Sequence, residues 1–296
     1  MNKNIKIIKN NYLTVQVNLH GAGLWSVKDQ DETEYLWQGD PKYWEDRSPI
    51  LFPYIARLTN GKYYLDGQEY EMDIHGFAKD SIFEVSKHTE NELILGLTDS
   101  EKTYVQYPYH FLFEVRYRLL ENRLDITFHV ENRDTKTMYF GVGGHPGFNV
   151  PLQSGEQFED YYLEFSGDGK AKKELFSEDC FVLGQTEEFP LEAGTKLPLR
   201  HELFDNDAII LSGMPKQVTL KSKAGAKAVR VSYPKMDYLG LWHWPKTDAP
   251  YICIEPWSSL PSRKGIVEDL AKQENLKKLC GQETADYTWS VEICTI

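Results

Sequence analysis

Cysteine is scarce, at 4 of 296 residues. Cys180, Cys253, Cys280 and Cys294 form no C-x-x-C pair, and no Cys/His group has zinc-site spacing. This argues against a disulfide framework and a structural zinc, and predicts reduced thiols. Positive charge is also short: 33 basic residues against 45 acidic ones leave a net charge of −12. Nucleic-acid binding runs on phosphate neutralisation by Lys and Arg, so that partner class is disfavoured. An anionic membrane surface is disfavoured for the same reason. No run reaches the ~18–20 apolar residues of a membrane span. The start, Met1-Asn2-Lys3-Asn4-Ile5-Lys6, lacks the apolar region of a secretion signal. The expectation is a soluble cytoplasmic protein with neither nucleic acid nor membrane as a partner. Linkers, charge blocks, repeats and low-complexity tracts are missing as well, so one domain over residues 1–296 is the simplest organisation.

Aromatic residues, by contrast, are plentiful at 13%, with 18 Tyr and 7 Trp. That exceeds what a core needs and suits a cleft in which rings stack on apolar or sugar C–H faces. Period-2 alternation dominates. Phe113-Glu114-Val115-Arg116-Tyr117-Arg118-Leu119 alternates apolar and charged residues, and Leu124-Asp125-Ile126-Thr127-Phe128-His129-Val130 repeats the pattern after a turn. This predicts a hairpin with one buried and one wet face. Further strands are expected at 12–19, 23–28, 34–38, 62–66, 82–87, 92–98, 138–143, 160–166, 207–212, 217–222, 227–233, 238–244, 250–255 and 287–294. Helix is expected only at 266–279, where Ile266, Leu270, Leu276 and Leu279 fall roughly on one face, and as a turn at 200–204. The stretch 151–200 reads as the least regular and peripheral. The fold class is therefore all-β, a sandwich or barrel with few short helices.

Chemistry concentrates in three places. His145 lies in Gly143-Gly144-His145-Pro146-Gly147, where the proline enforces extended backbone before it and the glycines permit close approach. A side chain on so stiff a frame is aimed, as a proton-transfer group must be; the competing reading is a turn with an incidental histidine. His75 precedes Gly76 and alone reads as a loop-end histidine capping a carbonyl. Glu255 ends the apolar run Tyr251-Ile252-Cys253-Ile254. On a strand it shares a face with Tyr251 and Cys253, and a carboxylate there is costly unless it is paired or lines a cleft. Arg57 is the only charge between Ser48 and Lys62 and reads as a buried arginine seeking an acceptor, with a structural ion pair as the alternative. Trp242 and His243 are candidate pocket residues.

The order Arg57, His75-Gly76, Gly144-His145-Pro146, Glu255-Pro256-Trp257 resembles the aldose 1-epimerase (galactose mutarotase) family, and most closely its LacX-like branch. The resemblance runs from about residue 10 to the C-terminus. It implies a galactose mutarotase-like β-sandwich, the supersandwich, and interconversion of the α and β anomers of a free aldohexose. It also implies roles: Glu255 as general base, His145 as general acid, His75 as the second active-site histidine and Arg57 as a sugar contact. Asp207 is the best match to the substrate-binding aspartate, with Asp205 as its rival. After Trp257 the chain departs from the branch, with Ser258-Ser259-Leu260-Pro261 in place of a Gly- and Asp-containing turn.

Such a set fits mutarotation on physical grounds. One proton leaves the anomeric hydroxyl while another reaches the ring oxygen; the ring opens, the C1–C2 bond rotates, and closure reverses both transfers. At reference values the carboxylate is ionised, and the imidazole needs modest help to stay protonated. No metal or redox cofactor is required. The expected partner is a small-molecule sugar, and the protein a monomer or homodimer. Two alternatives stay open: a hexose-phosphate mutarotase, which needs a basic cluster from residues such as Lys42, Lys62, Lys235 or Arg263, and a non-catalytic sugar-binding or sensor protein.

Overall fold

The computed structural model of the chain describes residues 3–167 and 170–295. Two large antiparallel sheets share one core. The nine-stranded sheet runs in the order Lys196–Pro198, Tyr161–Phe165, Gln217–Ser222, Lys227–Ser232, Thr284–Thr295, Arg123–Asn132, Phe111–Leu120, Glu92–Thr98, Glu84–His88. The expected hairpin lies near its middle, with Leu120 opposite Arg123. Along Phe111–Leu120 odd-numbered positions are buried and even-numbered ones are not, so period-2 alternation here does separate core from solvent.

The second sheet runs Val182–Glu188, Lys172–Phe176, Ile209–Ser212, Tyr238–Trp242, Tyr251–Trp257, Gly143–Gly144, Ile50–Leu51, and Gly147–Asn149 also pairs with Tyr251–Trp257. Tyr251–Trp257 is buried at all seven positions. Its Ile252 and Ile254 enter the core between the sheets, beside Val115, Phe128 and Val291. Tyr251, Cys253 and Trp257 instead join two smaller clusters on the sheet's other face. A strand apolar on both sides is thus a central strand, and its outward face is the one free to carry chemistry. Truncating Ile254 to Ala on the inward face would cost about 2–5 kcal/mol.

Three sequence expectations fail. Residues 266–279 are not helical. Glu268 O accepts from Tyr64 N and Leu270 N donates to Tyr64 O, so the segment's backbone bonds to a neighbouring strand rather than along a helix. Buried Gln273 pins it further by accepting from Tyr54 Oη and donating to Leu260 O. The α-helix that does form is Glu101–Gln106, started by reciprocal capping between Ser100 and Thr103. Nor is 151–200 wholly peripheral, since Tyr161–Phe165 is an interior strand of the nine-stranded sheet. The run 34–38 makes only isolated bridges, at Glu34 and Leu36. Among the described residues no helix is long and apolar enough to cross a membrane.

Candidate active site

The candidate site is built on the outward face of Tyr251–Trp257. On one flank Gly143 pairs with Trp257 and Gly147 with Cys253, and Ile254 N donates to Pro146 O at 3.2 Å. These pairs hold one register, which sets His145 directly across from Glu255. Gly144 must be a glycine for this strand to lie so deep, because a Cβ there would sit 2.7 Å from the Trp289 ring. On the other flank Gly240 pairs with Glu255, and a Cβ on it would come within 3.2 Å of the Glu255 side chain. The glycine leaves the volume that the carboxyl group fills.

His145 Nε2 lies 3.3 Å from Glu255 Oε2, and the Glu255 side chain is 1% exposed. Trp257 Nε1 donates to the same oxygen at 3.1 Å. Burial pushes the Glu255 carboxyl well above its ordinary pKa; the Trp257 N–H opposes this and the charge of Asp207 adds to it. Burial pulls His145 the other way, down to about 4, against a smaller upward pull from Asp207. This reverses the sequence-based assignment of charge. Desolvation pushes both groups toward their neutral forms, a protonated carboxyl and an uncharged imidazole.

His75 stands beside the pair, its ring centroid 5.7 Å from that of His145 in edge-to-face contact. Ala56 N donates to His75 Nδ1 at 3.1 Å. Nδ1 is therefore the unprotonated nitrogen, and Nε2 carries the hydrogen. Burial, and next the proximity of His145, hold its pKa well below the usual imidazole value. His75 is thus a neutral, single-tautomer N–H donor rather than an acid.

Arg57 lies on the loop next to Ala56 and, unlike its buried neighbours Phe52–Ile55, is exposed. The buried-arginine reading is wrong: residues on both sides, Ile55 and Leu58, are buried and Ala56 is half-buried, and the Arg57 side chain alone among them is exposed. Its guanidinium makes no hydrogen bond or ion pair among the described residues, while its charge is felt at His75 and Cys180. Asp207, at φ 76°, accepts from Cys180 Sγ at 2.9 Å, and its charge reaches both Glu255 and His145. Asp205 acts on His243 instead, which separates the two rival aspartates.

Trp242 packs edge-on to His145 at 5.6 Å. His243, expected in the pocket, is fully buried among Phe158, His201 and Phe204, and its Nδ1 bonds to Trp244 O. Successive residues at the end of a strand turn to different surroundings, and of these two only Trp242 packs against His145.

Two contributors escaped the sequence reading. Trp44 lies over His145 with ring centroids 5.0 Å apart and meets Trp242 at 5.4 Å, making an aromatic corner. The aromatic pair Tyr43-Trp44 just after Asp40-Pro41 was the available signal. Cys180 holds Asp207, and no local pattern announces it. The atypical Ser258-Ser259-Leu260-Pro261 is buried rather than a rim: Ser258 exchanges hydrogen bonds with Val142 through its backbone N–H and its hydroxyl.

Comparison with known proteins gives a consistent picture. The sequence profile of the family described as aldose 1-epimerase matches residues 3–268. The plasmid-encoded protein LacX of Lactococcus lactis subsp. lactis is 34% identical over 97% of this chain and 98% of that protein. A galactose mutarotase related enzyme from Lactobacillus acidophilus superposes with a TM-score of 0.91 at 33% identity, covering 98% of this chain and 97% of the other. A galactose mutarotase-like protein from Lactobacillus casei gives 0.92 at 29% identity, over 98% and 99%.

Proposed function

Because the chain belongs to the aldose 1-epimerase family, we propose that it is a mutarotase interconverting the α and β anomers of a free aldohexose by general acid–base catalysis. One observation carries the reading: a buried carboxyl group 3.3 Å from an imidazole, two groups that can each take or give a proton. Mutarotation needs one proton to move in each direction across the ring and the same steps in reverse. Ring opening draws a proton to Glu255 from the anomeric hydroxyl while His145 supplies one to the ring oxygen. Closure starts from protonated Glu255 and neutral His145, the state that burial favours. Opening starts from the ionised pair, which has the same number of protons, so the two states form one cycle. His75 donates its Nε2–H to a sugar oxygen. Arg57 and Asp207 bind hydroxyls at the rim, and the Trp44–Trp242 corner takes a C–H face of the ring.

The hexose-phosphate alternative loses support from the side chains it would need. Arg263 forms a two-pronged bond to buried Glu268, Lys62 pairs with Glu69, Lys42 lies 3.7 Å from Asp248, and Lys235 donates to Asp286 O. Each of these four already has a partner of its own. A purely sensory role needs no proton-transfer pair. NMR exchange spectroscopy on free and phosphorylated aldoses tests the proposal. Exchange between anomers of at least one free aldohexose, accelerated by catalytic amounts of protein, is the expected result. A protein that binds sugars without accelerating exchange would overturn it.

A further inference from the structure

Cys253 has no part in the scheme above, yet its thiol sits within reach of both proton-transfer groups. One ligand atom each from His145, Cys253 and Glu255 lies within 4.8 Å of the other two, and Cys253 and Glu255 are almost wholly buried. The topology explains why. Cys253 and Glu255 are two apart on one strand and share its outward face. His145 lies across from Glu255, and the residue opposite Cys253 on that side is Gly147. With no side chain there, nothing separates the thiol from the imidazole.

We propose that His145, Cys253 and Glu255 form a binding site for a thiophilic divalent cation, with Zn²⁺ as the best fit. Three atoms no more than 4.8 Å apart have a common point within about 2.8 Å of each, namely 4.8 Å divided by the square root of three. Zinc bonds are about 2.0–2.3 Å long, so each donor atom needs to move by no more than about 0.5–0.8 Å. The His145 Nε2 to Glu255 Oε2 separation of 3.3 Å already matches an edge of a tetrahedral site. One sulfur, one nitrogen and one oxygen are a zinc donor set, and the thiolate disfavours Mg²⁺ and Ca²⁺. The charges close: a thiolate, a carboxylate and a neutral imidazole around Zn²⁺ sum to zero, which a buried site requires. On binding, the thiol and the carboxyl release their protons to solvent, and water takes the fourth position. His145 Nδ1 is buried with no partner, so the ring lacks the outer hydrogen bond that strengthens metal-bound histidines. The site is accordingly a reversible one. The cation would occupy the acid–base pair and inhibit anomer exchange; that consequence, unlike the site itself, rests on the function proposed above.

The test uses the full chain, stripped with a chelator and titrated with Co²⁺ and then Zn²⁺. Co²⁺ should give a thiolate-to-metal charge-transfer absorption that Zn²⁺ abolishes by displacement. Cys253→Ser should lose the band, bind Zn²⁺ at least about tenfold more weakly, and keep its anomer exchange rate without metal. Cys253→Ala provides the same comparison if the serine variant does not fold. No band in the wild type overturns the site. A band that survives in the Cys253 variants belongs to Cys180, Cys280 or Cys294 and overturns it equally. Zn²⁺ that binds with the expected signature but leaves exchange at full rate supports the site and counts against the acid–base reading alone.

Discussion

The floor of the cleft and its rim are built in opposite ways. The floor is Tyr251–Trp257, buried at every position, with Gly240 paired to Glu255 on one side and His145 held on the other between the pairs made by Gly143 and Gly147. The rim is loops. Ala56, Cys180 and Asp207 have φ of 55°, 66° and 76°, and Arg57 is exposed without a partner among the described residues. Positive φ in residues other than glycine carries a cost that the surroundings must hold in place. In the proposed mechanism the proton-moving groups thus sit on a buried strand and on the short segment held across from it, where an error of an ångström is costly, while the groups assigned to sugar hydroxyls sit on loops that change sequence cheaply. The lesson is that one floor can serve several sugars by alteration of its rim.

The sharpest way to break this contrast is at the floor. Glu255→Gln keeps the shape of the side chain and an acceptor for Trp257 Nε1 but removes the titrating group. The anomerisation rate should fall by about 10²–10⁴-fold while sugar affinity stays close to wild type. Polarimetry beside a binding titration measures both. A fall in affinity with the rate constant preserved would make Glu255 a binding residue and erase the distinction from the rim.

His145→Asn should follow, with a loss near the lower end of that range, about 10²-fold. His75→Asn should cost about tenfold, the loss of one neutral hydrogen bond to the reacting sugar. The pH profile separates the two. In the wild type, the rate should fall on the acid side as pH drops through about 4, where His145 takes up a proton. The alkaline fall belongs to Glu255, whose burial moves it well above the ordinary carboxylate range. His145→Asn should therefore lose the acid limb and His75→Asn keep it. From sequence alone the alkaline limb would have been assigned to His145; loss of that limb in His145→Asn would show that the pair is ionised at rest.

That reversal marks what the sequence could and could not convey. The hairpin Phe111–Asn132 was legible because alternation reports burial directly. His145, His75 and Glu255 were legible because glycine frames and a lone carboxyl on an apolar strand conflict with ordinary packing, and such conflicts mark function. The depth of burial was not legible, since it depends on Trp44 and Trp242 arriving at His145 from distant segments, so reference pKa values pointed the other way. Residues 266–279 misled because apolar spacing cannot reveal that Tyr64 takes their backbone hydrogen bonds. Arg57 misled because an apolar run does not reveal that one side chain within it, between buried Ile55 and Leu58, faces out.

At the rim, Arg57→Ala should raise KM by about 10-fold or more, the worth of a hydrogen bond to a charged group, with kcat unchanged. Steady-state anomerisation kinetics read the split directly. A drop in kcat with KM intact would place the guanidinium on the transition state and move Arg57 to the floor's side of the comparison.

The smallest expected effect tests whether the rim is held at all. Cys180 Sγ donates to Asp207 Oδ2 at 2.9 Å, and burial, followed by that bond, pushes the thiol up to about 12. At neutral pH it is therefore a donor and not a thiolate, which would repel the aspartate. Asp207 Oδ1 takes Ala208 N at 3.0 Å, so the thiol fixes one oxygen and the backbone the other. Cys180→Ala removes the side-chain donor, while Cys180→Ser replaces it with a stronger one. Both keep a Cβ at φ 66°, so the backbone cost is the same and cancels between them. The alanine variant should raise KM about two- to fivefold, and the serine variant should match or improve on wild type, since a thiol bond is worth no more than ~1 kcal/mol. Equal KM values for the two variants would mean that Asp207 is held by its own loop. The rim would then be as rigid as the floor, and the division of labour between them would need another cause.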